Sequence, residues 1–123
     1  MILLKQWAEH MASSVWLMDA AGNLVYYNEP AEAILGLRFD EAGEIHAAQI
    51  ADLFFTTAPD GSPIEGPDLP IVRALTENEP SHDEMRIRDR TGEWHNIEVT
   101  ALPLVAASHR KLGAIAIFWE VDR

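Results

Sequence analysis

The stretch from Leu112 to Asp122 is apolar on both of its alternating faces. Ala114, Ala116 and Phe118 fall on one, and Ile115, Ile117, Trp119 and Val121 on the other. Successive side chains of a strand point to opposite sides of the sheet, so a strand apolar on both sides has to be covered on both. It belongs in the middle of a sheet. The rest of the chain must then supply a neighbour at each flank and a layer over each face.

Both flanks can be read. His82 to Asp89 alternates, with Met85 and Ile87 opposite Glu84, Arg86 and Arg88. Trp94 to Leu104 alternates again, setting Ile97, Val99 and Ala101 against Asn96, Glu98 and Thr100. The turn Arg90-Thr91-Gly92-Glu93 joins them, so the last third is a three-strand meander. Near the start, Val15–Asp19 and Leu24–Asn28 form a hairpin around Ala20-Ala21-Gly22-Asn23, where Gly22 and Asn23 tolerate positive φ.

The covering layers are helical. Asn28 caps a short helix over Glu29–Leu35, and Gly36 stands just past its end. Ala47 to Phe55 is helical, with Ile50, Leu53 and Phe54 on one side, and Asp68 is placed to cap a helix from Leu69 to Leu75. Residues 59–63 and 66–67 are Pro- and Gly-rich loop. Residues 2–12 set Leu3, Leu4, Trp7, Ala8 and Met11 against Lys5, Gln6, Glu9 and His10, and Ser13 and Ser14 end that segment. It is the spare amphipathic element for the second sheet face. Helices and antiparallel strands in separate runs make an α+β fold. The expected division is an N-terminal helix over 1–12, acting as a dimerisation arm or cap, and one domain over 13–123.

Composition removes several functions. There is no cysteine, so disulfides, thiolate nucleophiles and Cys-ligated zinc or iron–sulfur sites are excluded. The net charge of −11, from nine basic and twenty acidic residues, opposes nucleic-acid phosphates, which need Lys and Arg. The longest apolar run falls short of the about 20 residues that cross a bilayer. Met1-Ile2-Leu3-Leu4-Lys5 does not begin a signal peptide. A cytoplasmic protein without membrane or nucleic-acid contact is expected.

Three stretches in this order resemble the PAS family. Val15 to Glu32 is similar to its opening strand, Asp, glycine turn, second strand and Asn cap, followed by a helix closing on Leu35-Gly36. Asp89-Arg90-Thr91-Gly92-Glu93-Trp94 is similar to its D-x-x-G hairpin, and Gly113 to Asp122 to its closing strand. The terminal acid of that strand usually begins a linker to an effector. Here the text is Val121-Asp122-Arg123, so the linker motif is cut off or absent. The resemblance covers the chain after residue 12. It implies a PAS fold: a five-stranded antiparallel sheet of order 2-1-5-4-3, with short helices on one face enclosing a cavity.

Strand parity carried onto that fold points Trp16, Met18 and Tyr27 inward, and continues through Met85, Ile87, Ile97, Val99, Ala101, Ala116 and Phe118. Ile34, Leu35, Leu53, Phe54, Ile71 and Leu75 close the face from the helices. These residues are the candidates for lining a ligand cavity. With no cofactor motif present, the simpler expectation is that they fill the core. Glu120 shares the inward parity near the strand's end and is a further cavity candidate, but a carboxylate there needs a partner, water or a raised pKa, and an exposed rim or a pairing with a nearby Arg is the simpler expectation.

Covalent flavin and thioester chromophores need the missing cysteine. Haem needs an axial ligand; of His10, His46, His82, His95 and His109, only His46 lies in the helical segment, and haem is not favoured. His82-Asp83-Glu84 reads as a solvated run, so no metal site is expected. Leu3, Trp7 and Met11 with Ile115, Ile117 and Trp119 are the candidates for a dimer interface on the outer face. Asn28, Gly22 and Gly92 are structural. The expected function is a sensory and protein-interaction module passing ligand occupancy or partner contact to an effector outside this chain. Histidine kinases, cyclic-di-nucleotide enzymes and transcription regulators are the usual partners of such modules. The alternative is a small cone-shaped α+β enzyme, an isomerase or cyclase with Asp19, Asp89 or Glu120 as base and Tyr26 or Tyr27 assisting.

Overall fold

The computed structural model describes residues 2–121, the side chains of Ile2 and Leu4 excepted. Asp122, expected to end the closing strand, lies outside them, as does Arg123. Helix α1 (Ile2–Glu9) leads into the hairpin β1 (Ser14–Asp19) and β2 (Asn23–Tyr27). Three short helices and one short strand follow: α2 (Glu29–Leu35), α3 (Phe39–Ala42), β3 (Ile45–His46) and α4 (Ala47–Phe54). After a 3₁₀ turn at Gly66–Asp68 come α5 (Pro70–Glu77) and the meander β4 (Ser81–Arg88), β5 (Trp94–Val105) and β6 (Lys111–Glu120).

The strands form one sheet in the order β3-β2-β1-β6-β5-β4. The last strand lies in the middle, antiparallel to β1 through Trp16↔Ala116 and to β5 through Val99↔Phe118. The five expected strands keep their order. The sixth, β3, is two residues long and pairs Asn23↔His46 and Leu24↔Ile45 at the edge. The opposite edge is masked by a loop: Thr57 exchanges backbone hydrogen bonds with Arg86 at 2.9 and 2.8 Å. Covered edges do not recruit foreign strands.

The β1–β2 and β4–β5 hairpins use the same turn. In Asp19-Ala20-Ala21-Gly22-Asn23, the Asp19 carboxylate accepts the N–H of Ala21 at 3.0 Å and of Asn23 at 2.9 Å, while Gly22 N–H donates to the Asp19 carbonyl at 3.1 Å. In Asp89-Arg90-Thr91-Gly92-Glu93, Asp89 accepts Thr91 N–H at 2.8 Å and Glu93 N–H at 3.0 Å, and Gly92 donates to the Asp89 carbonyl at 3.1 Å. Gly22 and Gly92 hold φ of 89° and 93°, a region that costs a side-chain-bearing residue but not glycine. The D-x-x-G spacing is thus a consequence of one carboxylate closing one loop.

Two expectations about helix ends need correction. The N-terminal helix stops at Glu9 rather than 12, because Ser14 is already drawn into β1 opposite Phe118 and the chain must straighten before it. Asp68 does not cap α5; it ends the 3₁₀ turn, and Leu69 is the N-cap with no side-chain bond. Pro70 opens the helix instead, where its lacking N–H leaves no donor to satisfy.

Parity divides the core in two. Ala114, Ala116 and Phe118 of β6 belong to the main cluster beneath the helices, while Ile115, with Val15, Leu17, Val25 and Ala8, forms a second cluster on the outer face. Met11, Tyr26, Leu104 and Ile117 pack against this outer cluster. Helix α1 therefore covers part of that face, as the both-sided apolar strand requires.

Candidate functional site

The inner face gathers the expected cavity residues into one group. Trp16, Met18, Tyr27, Leu35, Phe54, Ile71, Leu75, Met85, Ile87, Ile97, Val99, Ala101, Ala116 and Phe118 are buried in a single cluster, and Ile34 and Leu53 pack on it half-buried. Trp16 and Phe118 meet edge to face, with ring centroids 5.3 Å apart. The Tyr27 hydroxyl donates to the Leu37 carbonyl at 2.8 Å. Burial, with the carboxylates of Glu32, Glu41 and Asp40 nearby, pushes that phenol well above its ordinary value.

One polar atom in this wall has no counterpart. The Trp16 indole Nε1 is buried and hydrogen-bonds to nothing among the described residues. A buried donor without an acceptor costs about 1–3 kcal/mol. Next to the cluster, an open groove of about 620 Å³ is lined by Leu37, Glu41, Ala42, Glu44, Ile45, Gln49, Asp52, Leu53 and Arg90. Leu53 is shared between the groove and the interior.

Glu120 does not line the interior. Its side chain is 52% exposed at the rim, where Oε1 lies 3.1 Å from His95 Nδ1. The other ring nitrogen, Nε2, lies 2.7 Å from Asp89 Oδ2. Burial pushes the Asp89 carboxyl up, but hydrogen bonds from Thr91, His95 and Glu93 outweigh it and hold it far below the usual carboxylate range. Burial disfavours the His95 cation, yet the bonds to Asp89 and Glu120 and their charges win, and its pKa is raised. Donor atoms of Asp89, Glu93 and His95 lie within 4.8 Å of one another. Both Asp89 oxygens and His95 Nε2 are already committed to hydrogen bonds, and Nδ1 is turned to Glu120 at ion-pair distance, so we assign no metal there.

The acids of the enzyme alternative are occupied otherwise. Asp19 and Asp89 each close a turn, and Asp89, held far below its normal range, is a poor base at neutral pH. His46, the one histidine in the helical segment, is a helix cap. Its Nδ1 accepts from Ala48 N–H at 3.3 Å and its own N–H donates to the Gln49 side chain at 3.1 Å.

On the outer face, Leu3 is 80% exposed, Trp7 43% and Trp119 41%. Met11 and Ile117 are half-buried against the outer cluster. Ile115, expected on that surface, is a correction: it is buried in the cluster that includes Ala8 of α1 and has no area left for a partner. His82 adds a polar element, with Nδ1 2.7 Å from Thr100 Oγ1 and its ring 6.4 Å from that of Trp119. Two features depend on tertiary packing and leave no local signal in the sequence. One is the His95 bridge, which needs the register Ile97↔Glu120 and Ile87↔His95. The other is the reach of Asn28. Its Oδ1 accepts from Val15 and Ala31 N–H at 3.0 and 3.3 Å, and its Nδ2 donates to the Ala8 and Ser13 carbonyls, both at 2.9 Å. No described helix is long and apolar enough to cross a membrane.

A family model described as PAS domain matches residues 12–121. Among solved structures, the PAS domain of a protein from Colwellia psychrerythraea superposes with a TM-score of 0.69 at 15% identity, covering 98% of each chain. The PAS domain of nitrogen regulation protein NR(II) from Vibrio parahaemolyticus gives 0.67 at 16% identity, over 97% of this chain and 98% of that one. The light-state dimer of the fungal blue-light photoreceptor Vivid gives 0.66 at 16%, over 88% and 77%. At such identities the likeness is one of fold. No curated protein matches the sequence.

Proposed function

The chain belongs to the PAS domain family, and on that premise we propose that it is a sensory and protein-interaction module that passes ligand occupancy or partner contact to an effector, and not an enzyme. Input is at the inner face. The observation that carries this is the orphaned Trp16 N–H in a wall of apolar side chains. An incoming molecule that is largely apolar and bears one acceptor atom gains both burial and that hydrogen bond.

The test is native mass spectrometry with an absorbance spectrum, on protein purified from its own host. An added mass or a chromophore band is expected, with Trp16→Phe lowering occupancy about fivefold, the worth of one net hydrogen bond near 1 kcal/mol. A colourless wild type at bare-chain mass removes the ligand half of the proposal and leaves partner contact as the input.

Output runs through β6 to the outer face. Residues 1–12 act as an arm, and Trp7, Leu3, Ile117 and Trp119 offer apolar surface to a second copy. A relative in fold, Vivid, was solved as a dimer, which supports the homodimer by analogy. Trp7→Glu is expected to raise the dimer dissociation constant about 30-fold, since a buried tryptophan anchor is worth about 2 kcal/mol in typical interfaces. An unchanged sedimentation profile at matched concentration counts against the arm. The effector belongs to the class of histidine kinases, cyclic-di-nucleotide enzymes or transcription regulators, and a cytoplasmic location is part of the same proposal.

A further inference from the structure

His95 is held from two sides by acids that belong to different parts of the sheet. Asp89, on its Nε2, sits in the β4–β5 turn. Glu120, on its Nδ1, is the last residue of β6. The next residue, Val121, donates its N–H to the Asn96 carbonyl at 2.9 Å, beside His95. We propose that His95 is a pH-responsive tether, which fastens the C-terminal end of β6 to the β4–β5 turn when doubly protonated and releases Glu120 when it loses one proton.

Donors decide the protonation state. Each contact is from a ring nitrogen to a carboxylate oxygen, and a carboxylate only accepts. Both contacts are favourable together only in the imidazolium. A neutral ring keeps one N–H and turns a lone pair toward the other carboxylate. The two acids are not equal competitors for the remaining proton. Asp89 is nearer, 2.7 Å against 3.1 Å. Its other oxygen is pinned by Thr91 N–H, the Thr91 hydroxyl and Glu93 N–H at 2.8, 2.6 and 3.0 Å. Glu120 is half in solvent, and among the described residues its carboxylate pairs with His95 alone. The proton stays on Nε2, and Glu120 faces a bare Nδ1 and leaves.

The charged surroundings agree. From the turn come Asp89 and Glu93, and from β6 comes Glu120. The cross-strand neighbour on β4 is the uncharged Ile87, and α2 offers the backbone of Leu35, whose carbonyl accepts from Arg90 N–H. Acids on each side keep the proton on the ring, consistent with the raised pKa of His95. The sign follows from that direction. A group raised on folding stabilises fully below its unfolded value of about 6.5, and that contribution is lost as pH rises through the folded value. Asp89, held low, stays charged throughout this window.

The test is amide hydrogen exchange at Val121, corrected for intrinsic base catalysis, alongside an NMR titration of the His95 ring. Protection at Val121 is expected to fall about tenfold as pH rises through the His95 midpoint, the worth of one charge-assisted bond. In Glu120→Ala, Val121 should be poorly protected at every pH and the His95 midpoint should fall. In His95→Gln the profile should be flat. Val121 protection that ignores the His95 titration, or a pH profile that survives in Glu120→Ala, overturns the tether.

Discussion

Asn28→Ala is expected to destabilise the domain by about 3–5 kcal/mol, because four buried or half-buried backbone groups lose their partner at once. The side chain is fully buried. It joins three elements: α1 through the Ala8 carbonyl, β1 through Val15 N–H and α2 through Ala31 N–H. An ordinary cap is worth about 1 kcal/mol. Here the same amide also satisfies groups 13 to 20 residues away, and alanine leaves them unpaired without admitting water. Asn28→Asp should be no milder, since it replaces the donor to two carbonyls with a buried negative oxygen. Urea denaturation checks this: a large drop in midpoint at constant slope is expected, and a loss under about 1 kcal/mol would show that the hub is solvated.

Phe118→Ala is expected to cost about 3–5 kcal/mol through lost burial and a residual cavity. Phe118 lies on the central strand, opposite Val99 and Ser14, edge-on to Trp16. Trp119→Ala, one residue on and facing out, should cost about 1–2 kcal/mol in the monomer, less than Phe118→Ala despite removing a larger ring, because 41% of the residue is already in water and no interior cavity is left. Similar losses at both positions, measured in the same denaturant series, would mean that β6 does not have the two faces assigned to it.

That alternation was legible at once in the sequence, and so was the central place of β6. A period of two is local, and being apolar on both faces leaves a strand few places in a sheet. The D-x-x-G turns at Asp19 and Asp89 were legible for the same reason, since each is closed within five residues. Asn28 was read as a cap, which is also local, while its bonds to Ala8, Ser13 and Val15 depend on tertiary packing. Strand β3 has two residues and α3 four, too short for a period to show. The inward parity of Glu120 and its place on an exposed rim are both legible from its position at the strand's end. Its pairing with His95 required knowing how far β6 runs past β5. The outward face of Ile115 and a covering role for the N-terminal helix are legible, but which side chains α1 covers is not, because the place where it lands is set by Asn28 and Ala8.

The central claim is that β6 couples its inner face to its outer one. Sedimentation velocity over a concentration series, comparing wild type with Phe118→Leu, tests it most directly. The substitution keeps an apolar side chain and the fold and touches nothing on the outer surface. A dimer constant shifted about fivefold or more, a coupling near 1 kcal/mol, is the predicted result. A wild type that stays monomeric, or a dimer indifferent to Phe118→Leu, would contradict it.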